Sequence, residues 1–373
     1  MNEIEKRALV DSIQADLNAV YANDAVKPVV APFHTLGAKI VDKLPCTEGQ
    51  VLVLSDLGLL VAVLRRFKPE QVTFVAHTTE QEQFSQSLVV KTWQVGYNDP
   101  ITQLEKLCMG LKFDIIVGNP PYQEESKEKK GESTRAAERL WEQFLALGLD
   151  TLVDDGYLLF VTPATWLAPT SKSYGRLKKV QVLEANVASS VKDSFQGVGG
   201  SMRFSWYLVR NSARVNSTKV TFDDGVFDLD LFSLPFAPVR STFGMDYAIC
   251  QKLAASGVAP LPWIRRERPG QKGVLEVAIP RAKSPSWTVR CHDDGTGEGY
   301  IFSPKNREEG EIVAHNLNHK LYRRCRWTMR SGMALVSSIT RLPIHTDKKL
   351  DSSELYARFG FSQEEIDLIE STV

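Results

Sequence analysis

Four short, mostly apolar runs, Val51–Leu54, Val72–Val75, Leu88–Val90 and Phe113–Val117, do most to limit what this chain can become. Between them lie stretches of helical period, Leu57–Phe67, Thr79–Ser87 and Thr102–Gly110. Strands that are apolar on both sides belong in a parallel sheet covered by helices on both faces. The expected fold is therefore α/β, a Rossmann-like doubly wound mixed sheet. In such sheets ligands bind beyond the carboxyl ends of the strands, so the residues just after each strand are the first place to look for chemistry.

A short amphipathic segment, Leu36–Leu44, precedes the first strand, and apolar residues also recur at helical spacing over Ile4–Val20. After the fourth strand comes a polar loop, Gly118–Arg135, with the charged run Glu124–Lys130. A helix is expected over Ala136–Val153, a turn at Asp155-Gly156 and a strand over Tyr157–Val161. Val180–Val187 and Met202–Arg210 read as two more strands, the second in an antiparallel hairpin across Gly197–Ser201. From Ser212 onward, repeated prolines favour short strands and loops without a long helix. Helical spacing returns in Ser352–Glu370, where Ser362-Gln363-Glu364-Glu365 has the form of a capping box.

At 373 residues and 43% hydrophobic content the chain can bury a large core and a smaller one. Three regions are expected: residues 1–222 as the α/β domain, 223–341 as an irregular, mostly β and loop domain, and 342–373 as a helical tail. The formal charge is zero, but its distribution is uneven: residues 261–350 hold 17 Lys+Arg against 9 Asp+Glu, and residues 351–373 hold 1 against 6. Five scattered cysteines, without a CxxC pair, argue for a reducing compartment. The N-terminal stretch lacks the apolar run of a signal peptide, and no segment approaches a membrane span, so a cytoplasmic protein is expected. His315 and His319 are spaced i, i+4 with Cys291, His292 and Cys325 elsewhere in the segment; this matches no standard ligand spacing, and no metal is expected.

Asn119-Pro120-Pro121-Tyr122 follows the fourth run directly. An aromatic amine is a poor nucleophile because its lone pair is delocalised into the ring. Acceptors that draw on its hydrogens restore that lone pair, and the Asn119 side-chain oxygen and the Pro120 carbonyl suit that task. Two prolines fix φ near about −65° and hold such acceptors rigidly. Tyr122 offers a flat face on which an extruded base can stack.

With FDIIVG before it, this motif resembles the amino-methyltransferase superfamily, whose fourth motif reads (D/N/S)PP(Y/F/W). In its NPPY form it is similar to adenine-specific DNA methyltransferases of restriction-modification systems and phages. Glu138–Phe144, Asp155–Leu167 and the tail Ser353–Phe359 with Glu364-Glu365-Ile366 also resemble that family. The resemblance implies a class I methyltransferase fold, S-adenosylmethionine as cofactor, and methylation of the adenine N6 amino group in double-stranded DNA by base flipping. It makes Asn119, Pro120, Pro121 and Tyr122 the catalytic loop.

For the cofactor the resemblance points to His34 and Thr35 in an entry segment, Asp56 and Gly58 after the first strand, His77 after the second, Asp99 after the third, and Asn119. The first turn keeps a single glycine, and His77 stands where a carboxylate would hold the ribose hydroxyls. Phe204, or Tyr207 on the opposite strand parity, is the candidate for the second face of the base sandwich. Residues 223–341 become the target-recognition domain, with Arg265, Arg266, Arg268, Lys272, Arg281, Lys283, Arg323, Arg324, Arg326 and Arg330 as candidates for phosphate contact. A cognate restriction endonuclease is the implied partner, and a monomer or weak dimer is expected. Two alternatives stay open: an amino-methyltransferase acting on RNA or protein glutamine, and a non-catalytic DNA-binding relative.

Overall fold

The computed structural model describes residues 36–96, 99–121, 140–195, 203–215, 217–267, 270–280, 288–297, 299–331, 334–335 and 337–372. The stretch Ile4–Val20, the charged run of the long loop and the turn of the hairpin lie outside them. The chain divides into two compact units: Met1–Pro163 with Arg176–Gly200 and Phe204–Thr221, and Ala164–Gly175 with Ser201–Arg203 and Phe222–Val373.

In chain order the first elements are α1 (Ala38–Val41), β1 (Val51–Leu54), α2 (Leu57–Leu64), β2 (Val72–Ala76), α3 (Thr79–Ser87), β3 (Lys91–Gln94), α4 (Pro100–Cys108) and β4 (Phe113–Gly118). They continue with α5 (Leu140–Thr151), β5 (Leu152–Pro163), α6 (Lys172–Leu177), β6 (Gln181–Asn186), α7 (Ser189–Asp193), β7 (Phe204–Arg210) and β8 (Thr218–Phe222). Strands β1 to β8 are ordered β3-β2-β1-β4-β5-β7-β6-β8. Strand β7 runs antiparallel to both β5 and β6, while the pairs β1–β2, β2–β3, β1–β4, β4–β5 and β6–β8 are parallel. This is the doubly wound mixed sheet expected from the alternating apolar runs.

Every residue of β1 and β2 is buried, because helices cover both faces of the sheet. One face packs Val53, Phe74, Val117 and Val161 against Ile40 of α1 and Leu60 and Val63 of α2. The other receives α5, whose Gly148 comes so close that an added Cβ would lie 2.8 Å from Leu158 Cδ1. The third strand corrects the sequence reading. Its pairing residues are Lys91–Gln94, whereas Leu88 caps α3 and Val89 is 81% exposed at φ 61°. An edge strand needs no apolar face on both sides, so hydrophobicity marked the wrong three residues.

The second unit contains β9 (Gly225–Leu229), α8 (Met245–Ala255), β10 (Ile264–Arg266), β11 (Glu276–Ile279), β12 (Cys291–His292), β13 (Gly299–Phe302), α9 (Arg307–Leu317), α10 (Lys320–Thr328), α11 (Ser352–Phe359) and α12 (Gln363–Glu370). Strands β10 to β13 form an antiparallel sheet in the order β10-β13-β11-β12. The short strands are present as expected, but α8, α9 and α10 are additional helices among the prolines. Ser362 opens α12 with a complete capping box. Among the described residues no helix is long and apolar enough to cross a membrane.

Candidate active site at the sheet switch point

The strand order reverses between β1 and β4, which is where a doubly wound sheet opens a crevice. Two loops start there, and both are forced into place by local geometry. After β1, Ser55 adopts a left-handed φ of 66° and donates its N–H to the Val75 carbonyl at 3.2 Å. The turn aims Asp56 inward, where Oδ1 caps α2 by accepting the Leu59 N–H at 2.9 Å. After β4, Gly118 fits between neighbours so close that a Cβ would meet Leu54 Cβ at 3.0 Å and the Phe160 ring at 3.1 Å. A glycine lets β4 end tight against β1 and β5 without pressing on either side chain.

That closeness brings Asn119 onto Asp56. The Asn119 Nδ2 donates to Asp56 Oδ2 at 2.9 Å, with Asn119 5% and Asp56 1% exposed. A carboxylate only accepts, so the amide must turn its nitrogen toward Asp56 and its oxygen the other way. Pro120 is buried and Pro121 half-buried, which fixes the chain leaving the corner. Tyr122 lies outside the described residues.

The neighbouring strand ends are tied to one another. His77 Nδ1 sits 2.8 Å from the Val95 carbonyl, an acceptor, so that nitrogen carries the proton. Nε2 then accepts from the Ser55 hydroxyl at 2.6 Å, and the His77 N–H donates to Gln81 Oε1 at 2.7 Å. Burial depresses the His77 pKa, keeping the ring neutral near pH 7. Gly58 is buried in the first turn of α2. Asp99, at φ 57°, caps α4 through the Thr102 N–H at 3.4 Å and keeps an exposed carboxylate. His34 and Thr35 lie outside the described residues.

The charge at this edge has one sign. The described residues following β1 to β4 (55–58, 77–82, 95–96, 99–103 and 119–121) include Asp56, Glu80, Glu82 and Asp99, and neither lysine nor arginine. Such a donor set suits a cationic ligand. A sulfonium cofactor fits it in charge. What the edge does not offer is a carboxylate at position 77, and Glu80, exposed in the first turn of α3, is the nearest one along that loop.

Phe204 and Tyr207 face opposite sides of β7, as strand parity requires. Phe204 is 1% exposed, with its ring centroid 5.3 Å from that of Phe195, in the cluster that includes Val161, Trp206 and Leu208. It is a packed core ring here rather than an open stacking face. Tyr207 is fully buried beneath Thr162, whose hydroxyl lies 3.5 Å from its own, and burial raises its phenol pKa.

The basic candidates of the second unit divide sharply. Arg324 is a correction: it is 8% exposed, bonds Asp246 through Nε at 2.5 Å and Nη2 at 3.0 Å, and donates to the Leu368 carbonyl at 2.9 Å. Its charge is consumed inside the fold and does not reach a phosphate. Arg266 is likewise held by Glu276, through Nη1 at 2.8 Å and Nη2 at 2.5 Å. Arg265 pairs with Glu267 at the surface, and Lys272 is exposed. Arg268, Arg281 and Lys283 lie outside the described residues.

Arg326 is buried, and desolvation, with Arg323 and Arg330 nearby, pushes its pKa down to about 10. Burial lowers Arg330 too, with Arg240 adding repulsion, and burial and then Arg203 lower Arg240. The Arg240 guanidinium lies 4.0 Å over the Trp327 ring, and Trp327 is 41% exposed. No pattern in the residues pointed to Arg203 and Arg240, which fall outside the basic segment and enter this cluster only through folding. His315 and His319 bond to the Leu350 carbonyl and the Ser352 hydroxyl respectively. Among the described residues no group of three or more His, Cys, Asp or Glu is placed to hold a metal.

A solved structure from Listeria monocytogenes, described as a candidate class I S-adenosylmethionine-dependent methyltransferase, matches 56% of this chain and 68% of its own at 12% identity, with a TM-score of 0.39. The M protein of the type I restriction enzyme EcoKI matches 49% of this chain and 46% of its own at 12% identity, with a TM-score of 0.36. An uncharacterised adenine-specific methylase of Mycoplasma pneumoniae is 29% identical over 104 residues, 26% of this chain. The chain spans 24% of that relative's length. Residues 60–192, which contain Asn119, match the family model of the Eco57I restriction-modification methylase.

Proposed function

We propose that this chain transfers a methyl group from S-adenosylmethionine to the N6 amino group of adenine in DNA, acting on a base flipped out of the duplex. The observation that carries the reading is the Asn119 amide, fixed at the switch point with its oxygen turned away from Asp56. The Eco57I-type match over residues 60–192 and the adenine-specific relative support the same chemistry.

The chain's own part is to make a weak nucleophile reactive. Asn119 Oδ1 and the Pro120 carbonyl accept the two amino hydrogens of the base, which draws the nitrogen lone pair out of conjugation with the ring. Neither acceptor is a base, so the proton leaves to solvent after transfer. The proline pair keeps the two oxygens from reorganising as charge develops. S-adenosylmethionine, when bound, supplies an electrophilic methyl on a sulfonium. Asp56, Glu80 and Asp99 would favour its positive charge, with Asp99 and Glu80 as the exposed carboxylates near its adenosine end.

Arg326 and Arg330 are buried, so within the arginine cluster of the second unit it is the half-buried Arg240, beside the exposed Trp327 ring, that is proposed to meet a polyanionic substrate. Phosphate contacts make affinity fall with salt, and each one lost reduces the slope of log K against log salt by about 1. Arg240→Ala is expected to lower that slope by about 1 without changing which sequences are bound. An unchanged slope in a fluorescence-anisotropy salt titration removes Arg240 from the DNA surface.

One observation favours a second reading, a non-catalytic DNA-binding relative: both ring nitrogens of His77, at the ribose-holding position, are already bonded within the protein. Calorimetry with S-adenosylmethionine and transfer of a tritiated methyl to DNA, RNA and protein separate the possibilities. Label in N6-methyladenine from DNA is the expected result. Label on protein or RNA alone, or no binding of the cofactor, overturns it.

A further inference from the structure

Resting on that functional reading, we propose that Asp56 is a positioning residue whose carboxylate selects the productive orientation of the Asn119 amide. An asparagine side chain can turn by half a revolution about its last bond at little cost, exchanging oxygen for nitrogen. At a corner that must present an acceptor, the wrong orientation points two donors at the substrate amine. Something must therefore choose.

Asp56 is built to do so. Its Oδ1 is engaged by the Leu59 N–H at 2.9 Å, which fixes the carboxylate plane to the start of α2. Its Oδ2 then faces Asn119 Nδ2 at 2.9 Å in a buried setting. Turning the amide over would set oxygen against carboxylate oxygen and lose a hydrogen bond to a charged group, a bias of about tenfold to a hundredfold. The pair spans 63 positions and exists only because β1 and β4 are neighbours ending at one level, with Leu54 opposite Gly118.

Exchanging the two side chains tests the idea. Asp56→Asn keeps the cap, since asparagine caps as well as aspartate, so melting should stay near wild type. With its oxygen still held by the Leu59 N–H, however, the amide introduced at position 56 turns its nitrogen toward Asn119 and draws the Asn119 oxygen inward, so the acceptor is no longer presented to the substrate. The expected result is a kcat lower by about tenfold or more, measured at saturating cofactor, with KM for DNA unchanged. Asn119→Asp sets two carboxylates against each other, which raises one pKa. The native state then holds a proton that the unfolded chain has released, so stability relative to wild type should fall as pH rises from about 5 to about 8. Of the other titratable groups at this edge, His77, Glu80, Glu82 and Asp99 are common to all variants and cancel in the difference.

In the double variant D56N/N119D, the new amide at position 56 donates to the new carboxylate at position 119, whose second oxygen is an acceptor whichever way it turns. This variant should recover at least about tenfold in kcat over D56N and lose the pH-dependent destabilisation of N119D. The proposal is overturned if D56N keeps full kcat, if the exchange performs no better than the product of the single changes, or if N119D melts in parallel with wild type across that pH range. The melting comparison needs neither cofactor nor DNA. An inactive wild type would therefore overturn the functional reading while leaving the melts to decide the pairing.

Discussion

Asn119→Ala is expected to reduce methyl transfer by at least about a hundredfold to a thousandfold, the range seen when one preorganised polar group is removed from a charged transition state. The loss should fall on kcat. Ground-state binding of DNA depends on phosphate contacts elsewhere, so duplex affinity should stay within about threefold of wild type. The substitution also takes one donor from the buried Asp56 carboxylate, so a loss of about 1–3 kcal/mol in stability should accompany it. Assaying well below the midpoint of unfolding separates the two effects. Turnover close to wild type in folded protein would be incompatible with the corner acting on the amine.

The largest effect on stability is expected from Asp246→Ala. Asp246 is 3% exposed, receives Arg324 Nε and Nη2, and also accepts from the Ser241 hydroxyl. Removing it leaves a guanidinium in the interior without its counter-charge, which destabilises by about 3–5 kcal/mol. The expected result is a sharply lowered midpoint in urea, with the slope of the transition unchanged. Replacing both partners, as in D246L/R324L, should recover much of the loss, because paired burial of charge is offset by its own desolvation. A loss below about 1 kcal/mol for D246A would mean that the pair is solvated in solution.

How much of this could be read from the residues depended on whether the relevant signal was local. The β1, β2 and β4 runs were legible because a strand covered on both faces has no room for alternation, and the loop carrying Asn119 followed from where β4 stops. The capping box at Ser362 was equally local. The third strand was not legible: Lys91–Gln94 is a polar edge, and the apolar Leu88–Val90 before it belongs to a helix terminus. Nor does any local pattern show that Asp56 and Asn119 touch, that His77 is locked by Ser55 and Val95, or that Arg203 and Arg240 join Arg330 and Arg326. Arg324 and Arg323 look alike as letters, and only folding distinguishes the buried Arg324, paired with Asp246, from the half-buried Arg323 beside it.

The fit of Gly118 between Leu54 and Phe160 has a consequence for the evolvability of the edge. A methyl group there would press on Leu54 Cβ and the Phe160 ring, so the spacing between the two loops depends on how tightly those two side chains are held. Changes in the segments beyond the strand ends leave that interval at their base untouched, and so can reshape what the edge admits without repacking Leu54 and Phe160.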